Sequence, residues 1–427
     1  MTTQQTLQTE EYKQTELGEL PKSWEVVKVK DVSEKLKAGG TPSRGKKEYW
    51  NDDIPFVLIE DMTATRLYLI QTKEKITKKG LENSSAWIVP ENSILLSMYA
   101  TIGSTAINKI KLATNQAILA IIPKNNFDVL YGAYILRFNA ERLKSYNIAT
   151  TQKNVNKGIV ENFEIPLPPL PEQQNIAYVL STVQNAQEKT ENYINSLKEL
   201  KKSAMKHLFT YGAVSFEDID KVELKETEIG MMPKSWGVGK FEDIVIPQEK
   251  IEISSDSFVS FEHIQSGTGK LLGQASAKKF KTKTPFKKGT LLYGRIRPYL
   301  NKVWIAEFNG YCTNDIIRLN AKNSDINFVK YILLSDSFVN YATSKSQGTK
   351  MPRVKWEAMK VYPLSIPPLP IQQNIASILS AIDEKIQTEE QKKEALKETF
   401  NSLLRDLMTA KIRVNNLKIS NNTNTKR

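Results

Sequence analysis

Apolar residues along this chain recur with two different periods. Two stretches keep helical spacing over several heptads: Ile176, Leu180, Val183, Ile194, Leu197, Ala204 and Leu208 in one, and Ile375, Leu379, Ile382, Ile386, Leu396, Leu403 and Leu407 in the other. Neither Pro nor Gly interrupts the first stretch from Glu172 to Phe209, and about 38 residues at 1.5 Å each predict a rod of roughly 57 Å. No small domain needs a helix that long to fill its core. The spacing therefore predicts an antiparallel coiled coil, with Ile176, Leu180, Val183, Ile194 and Leu197 facing Ile375, Leu379, Ile382, Ile386, Leu396 and Leu403 across a seam. Two amphipathic helices packed separately on their own domains are the competing arrangement. Each rod follows a proline cluster, whose rings remove backbone donors and forbid helix at the preceding residue.

Ahead of each rod the pattern changes to short β-rich runs, such as Ser93 to Leu96 and Thr290 to Tyr293, cut by Gly, Pro and Asn. Short helical patterns at Val129 to Phe138 and Asn327 to Leu334 intervene, which predicts an α+β globular unit. The same order of elements occurs twice. TELGELPKSW at 15–24 returns as TEIGMMPKSW at 227–236, PLPPLPEQQNIAYVLS at 166–181 returns as SIPPLPIQQNIASILS at 365–380, and Thr114-Asn115 answers Thr313-Asn314. A period near 200 residues means duplicated domains, since solenoid units span only about 20 to 50. The first copy is longer between Trp24 and its proline block, so it carries an insertion. The expected organisation is two globular domains, 1–165 and 213–364, separated by long helices at 166–212 and 365–410, with a polar tail at 411–427. One duplicated unit closing on itself would pair its copies about a pseudo-twofold axis.

Composition narrows the class. Hydrophobic residues make up 40% of the 427 positions and charged residues 25%, the balance of an ordinary globular protein. No apolar run reaches the roughly 18 residues of a membrane span, and the N-terminus lacks a signal-peptide pattern; a cytoplasmic location is expected. The single cysteine, Cys312, excludes an internal disulfide. Sixty Lys and Arg against forty-seven Asp and Glu leave a net charge of +13. Such an excess favours a polyanionic partner, although a basic surface that keeps a protein soluble has the same composition. The basic residues recur in loops of both copies, at Arg44, Lys46 and Lys47, at Lys278-Lys279 and Lys287-Lys288, and at Arg295, Arg297 and Arg353. That distribution suits two folded binding surfaces better than one basic arm.

The chain resembles the specificity subunit of type I restriction-modification systems. The resemblance runs over nearly its whole length: Gly-Glu-Leu-Pro-Lys-Ser-Trp at 18–24, the Gly39-Gly40-Thr41-Pro42-Ser43 loop followed by Tyr49-Trp50 and Asp53-Ile54-Pro55, and both Pro-Leu-Pro-x-Gln-Gln helix starts. The second copy lacks the Gly-Gly-Thr-Pro-Ser loop. The resemblance implies two domains, each reading half of a bipartite, asymmetric site in double-stranded DNA. It also implies helical regions that bind two modification (methyltransferase) subunits, onto which restriction (ATP-dependent translocase and nuclease) subunits dock.

The residues themselves point to a reader without catalysis. His207 and His263 are the only histidines, and neither has a second ligand at metal spacing. The loop from Gly40 to Lys47 nearly spells a phosphate-binding loop but ends in Lys47 where a Ser or Thr hydroxyl would hold magnesium. Methyltransferase and nuclease signatures are absent from the sequence, so no catalytic residue, metal or cofactor is expected. Arg pairs with guanine and Gln or Asn with adenine, while Lys mostly meets phosphates. The expected DNA-binding residues are Arg44, Lys46, Lys47, Gln152, Lys153 and Asn154 in the first copy, and Arg295, Arg297, Gln347, Lys350 and Arg353 in the second. The alternatives are a scaffold that binds nucleic acid without sequence preference, an orphan subunit assembled from shuffled halves, and a nuclease in its own right.

Overall fold

The computed structural model describes residues 11–146 and 155–417. The chain divides into two compact units, one built from residues up to Lys189 together with those from Lys392 onward, the other from Thr190–Gln391. Each unit contains one copy of the repeat and part of each long helix.

In the first unit, strands Ser33–Ala38, Ile118–Pro123, Ile94–Ser97, Thr105–Asn108 and Tyr68–Leu69 form one sheet in that order, and Glu74–Ile76, Trp50–Val57, Leu112–Thr114 and Ile88–Val89 form another. The second unit repeats the first four strands of the larger sheet with Val245–Pro247, Ile316–Ala321, Leu291–Gly294 and Val303–Ile305, without an equivalent of Tyr68–Leu69, and repeats the other sheet with Ala275–Ser276, Ser257–Val259, Gly310–Cys312 and Thr284–Phe286. The same two strands of the smaller sheet run parallel in both units. A hairpin, Tyr12–Thr15 with Gly18–Pro21 and Leu224–Thr227 with Gly230–Pro233, opens each copy. Duplication thus reaches strand order and direction. Most of the extra length of the first copy falls between Ser33 and Val57, where the strands Ser33–Ala38 and Trp50–Val57 are longer than Val245–Pro247 and Ser257–Val259 and are joined by the glycine-containing loop that the second copy lacks.

Alternation along the central strands explains the layering. Ile94, Leu96, Leu119 and Ile121 face a core with Tyr131 and Tyr134 of the helix Val129–Phe138, whereas Leu95, Ala106, Ile118 and Ala120 face Val57, Val89 and Leu112 of the second sheet. In the second unit, Leu291, Tyr293 and Leu319 pack on Phe328 and Tyr331, and Leu292, Trp304 and Ile316 on Val259, Phe286 and Cys312. Each sheet therefore lies between a helical layer and a smaller sheet. Buried on both faces, central strands such as Ile94–Ser97 and Leu291–Gly294 read as continuous apolar runs, which hides their period of two.

The long helices are Leu170–Tyr211 and Leu369–Met408, 42 and 40 residues long. Within each unit they run antiparallel. Gln187 Nε2 donates to the Leu396 carbonyl at 2.9 Å in the first unit, and Lys201 pairs with Asp383 at 2.6 Å in the second. The seam residues divide by location. Ile176 and Leu180 join the first domain's core together with Leu407, and Leu403 packs partly buried against it. Ile375 and Leu379 join the second core. Ile194, Leu197 and Ile386, with Ile382 partly buried against them, form a separate helix-to-helix cluster. Val183 and Leu396 are half-buried. The helix ends thus serve as domain core as well as seam, because the sheets need an apolar layer and the helix ends supply part of it.

The repeated Pro-Leu-Pro-x-Gln-Gln start has a structural purpose visible in both copies. Gln173 Oε1 accepts from the Asp128 backbone N–H at 2.8 Å, and its Nε2 donates to the Pro168 carbonyl at 2.9 Å. Gln372 accepts from Asp325 N–H at 3.0 Å and donates to Pro367 at 2.8 Å. Asp128 and Asp325 in turn cap the helices Val129–Phe138 and Ile326–Leu334. One buried amide thereby locks the start of each rod to its domain.

The copies differ beside that lock. Glu172, 2% exposed, accepts from Trp24 Nε1 at 2.9 Å and pairs with Arg413 through two contacts of 2.6 and 2.8 Å. Asn175 Nδ2 holds the Val414 and Leu417 carbonyls. The segment after the second rod is therefore anchored to the first domain. At the position of Glu172 the second copy has Ile371, partly buried against the core that holds Trp236.

Candidate nucleic-acid interface

The first copy presents one basic loop. Gly39 and Gly40 begin it, their N–H groups donating to the carbonyls of Asn115 and Thr114 at 3.1 and 3.0 Å. A Cβ on Gly39 would lie 1.7 Å from the Thr114 carbonyl oxygen, so only glycine permits this approach. Beyond the glycines the loop is fastened to an aromatic pair. Trp50 Nε1 donates to the Ser43 carbonyl at 3.1 Å, and the Arg44 guanidinium stacks 3.9 Å over the Trp50 ring while pairing with Glu74 at 2.9 Å. Lys46 reaches the Tyr49 hydroxyl at 3.2 Å, which holds its ammonium above the usual lysine range. Lys47 is exposed. Arg44 is thus partly committed to its neighbours, whereas Lys47 extends to solvent. Gln152, Lys153 and Asn154 lie outside the described residues.

The second copy draws its candidates together more tightly. Arg353 forms an antiparallel bridge with Gln347, with N–H to carbonyl distances of 2.9 and 3.0 Å, and another bridge with Ile296. Arg297 N–H donates to Pro352 at 2.7 Å, and Val354 N–H donates to the Arg295 carbonyl at 3.0 Å. Four of the five expected residues, Arg295, Arg297, Gln347 and Arg353, therefore occupy one hydrogen-bonded patch, and Lys350 sits exposed in the turn within it. Arg297 holds φ = +46°, a left-handed conformation that is uncommon outside glycine and recurs at functional sites.

The repeat assigns an equivalent to each arginine. Val155 N–H donates to the Met98 carbonyl as Val354 does to Arg295, and Ala100 has φ = +52° where Arg297 has +46°. Where the second copy carries Arg295-Ile296-Arg297, the first carries Met98-Tyr99-Ala100. One backbone mount thus supports two different chemistries.

Sequence reasoning did not single out Asp315, which stands between two of these arginines, 3.1 Å from Arg353 Nε and 3.8 Å from Arg295 Nε. Its signal was the repeat: it follows Thr313-Asn314 as Gln116 follows Thr114-Asn115, and Gln116 accepts from the Thr41 hydroxyl at 2.8 Å. Lysines stacked on aromatic rings were also missed, among them Lys35 and Lys37 on Trp87 and Lys283 on Tyr311.

The remaining reactive groups have local roles. His207 Nε2 lies 2.8 Å from the Val214 carbonyl and its ring packs on Tyr211 and Phe216. His263 Nδ1 accepts from the Ser260 N–H at 3.0 Å. Burial pushes the Cys312 thiol up to about 12, which keeps it protonated and inert. Among the described residues, no group of three or more His, Cys, Asp and Glu is placed to hold a metal, and no helix is long and apolar enough to cross a membrane.

The sequence profile of the type I restriction modification DNA specificity domain matches residues 21–229 and again 233–398. The type I restriction enzyme MjaIX specificity subunit of Methanocaldococcus jannaschii is 29% identical over 95% of this chain and 98% of its own length. The EcoDI specificity subunit of Escherichia coli is 26% identical over 70% of this chain and 72% of its own. The crystal structure of the S subunit of the type I system from M. genitalium superimposes with a TM-score of 0.58 at 15% identity, covering 90% of this chain and 96% of that one; the shared property there is the fold. With the profile matched twice, once over each copy of the repeat, the chain belongs to the type I restriction-modification DNA specificity family.

Proposed function

We propose that this chain reads a bipartite, asymmetric DNA site, each copy of the repeat reading one half, as the specificity subunit of a type I restriction-modification complex. The observation that carries the reading is that one backbone presents Arg295 and Arg297 in the second copy and Met98 and Ala100 in the first. A duplicated reader with different side chains on the same mount has two different half-sites. The chain supplies recognition rather than catalysis. Its partners are the modification subunits, two to each chain, and through them the restriction subunits.

The proposed contacts are Arg44, Lys46, Lys47, Gln152, Lys153 and Asn154 in the first domain and Arg295, Arg297, Gln347, Lys350 and Arg353 in the second. Arginine and amide side chains suit base edges, and the lysines suit phosphates. The cytoplasm, where the DNA is, is the proposed location. Competition binding with the chain and its modification subunits tests the reading. The cognate duplex should outcompete random duplex by about a thousandfold or more, with affinity falling steeply as salt rises. Equal competition by all duplexes would leave a non-specific binder.

A further inference from the structure

We propose that Asp315 is a positioning residue for base recognition, holding Arg353 and Arg295 as a paired fork that reads a guanine in the half-site of the second domain. The inference rests on the reading of that domain as a DNA-recognition domain and adds the base and the residue that fixes the readers. Three observations carry it. Asp315 is tied into the mount by its own backbone, its carbonyl accepting from Arg295 N–H at 3.0 Å. Its carboxylate meets Arg353 on the Nε edge, 3.1 Å away, which leaves the terminal Nη groups as the free end of the fork; Nη1 makes only a 3.5 Å contact with the Met351 carbonyl. Arg295 lies 3.8 Å from the same carboxylate, beyond hydrogen-bonding reach, and is steered by charge.

The carboxylate also decides between base and phosphate. A group meant to grip phosphate gains from unneutralised positive charge, and an aspartate a few ångströms away reduces that gain and repels the anion. A group meant for the neutral edge of a base gains from being held still, because arginine has a large rotamer entropy to lose and guanine needs both donors placed at once. The Arg-Asp-Arg arrangement is therefore suited to reading a base. Lys350, exposed in the adjacent turn, is suited to the phosphates beside it. The first copy, with Met98 in place of Arg295 and its N–H donating to the Ala117 carbonyl at 2.8 Å, reads its half-site by other means.

The test uses the full chain assembled with its modification subunits, in competition binding against duplexes permuted at every position of its methylated motif, for wild type, Asp315→Asn, Asp315→Glu, Arg353→Ala and Arg295→Ala. Wild type should prefer guanine at one position of the second half-site by about tenfold or more. Arg353→Ala should remove that preference. Asp315→Asn should cut it at least fivefold at the same position, without loss of affinity for random DNA and without lowering the melting temperature; Asp315→Glu should recover part of it. A purely structural role predicts instead that Asp315→Asn weakens all duplexes equally or melts the domain, and either result overturns the proposal. Full preference retained in Asp315→Asn while Arg353→Ala loses it overturns the role of Asp315 alone. If neither arginine variant changes any position, the reading of this patch as a recognition site falls, and the proposal with it.

Discussion

Among single residues, the clearest contrast between the copies is Glu172 against Ile371. Glu172 is buried with Trp24 on one side and Arg413 on the other, and removing one partner of such a pair strands the other charge. Glu172→Ile should cost about 3 to 5 kcal/mol of stability in chemical denaturation, whereas Glu172→Ile combined with Arg413→Met should recover most of it by giving the first copy the apolar solution of the second. An equal loss in single and double variants would show that Arg413 is not the partner that matters. Little of this was legible in advance. The sequence displays the substitution of Glu by Ile within the repeat, but Arg413 lies in a segment that has no counterpart motif. The two glycines at 39 and 40 stood out as a string, yet the reason for them, a carbonyl 1.7 Å from where a Cβ would be, belongs to a contact about 75 residues away in the chain. Asp315 was hidden because an isolated acidic residue in a basic protein carries no pattern of its own.

Elements were easier to read than residues, because helical periodicity and proline punctuation act locally. The two rods, the α+β units and the repeat all followed from spacing. What spacing could not reveal is which neighbour each apolar position meets. Off the seam, Met408 is 1% exposed in the first core and Phe400 packs on Tyr134 at 6.0 Å, whereas Tyr193 and Leu200 are 45% and 53% exposed. Those two exposed residues suit a face for a modification subunit, so Tyr193→Glu with Leu200→Glu should lower co-purification with that subunit while the melting temperature stays unchanged. Undiminished recovery of the complex would place the docking face elsewhere. Lys201 is a poor probe of the same face, since it already pairs with Asp383 at 2.6 Å. The glutamine locks give a second test at this scale. Gln173→Ala and Gln372→Ala each remove a buried amide and leave a part-buried backbone donor without its acceptor, and should each cost about 1 to 3 kcal/mol, measured by denaturant unfolding. A cost in only one variant would mean that the repeat preserves the string without preserving its role.

In the whole molecule, each copy of the repeat is proposed to read one half of a split site, with different chemistry on a shared backbone. Apart from the added strand Tyr68–Leu69 in the first copy, the strand orders, helix starts and caps are the same in both copies, while the loops that carry Arg44 to Lys47 and Arg295 to Arg353 are not. This is the division expected when the fold is a mount and the loops read. It also explains why net charge alone was ambiguous: some of the basic residues are spent on internal pairs, such as Arg44 with Glu74 and Lys270 with Glu390. The most direct test is to map methylated positions across the DNA of cells that carry this chain with its modification subunits, for wild type and for Arg353→Ala. The account predicts one asymmetric motif in two specified halves divided by a non-specific spacer, with the variant relaxing a position in one half and leaving the other half unaltered. A continuous or palindromic motif, or a variant that relaxes both halves together, would contradict it.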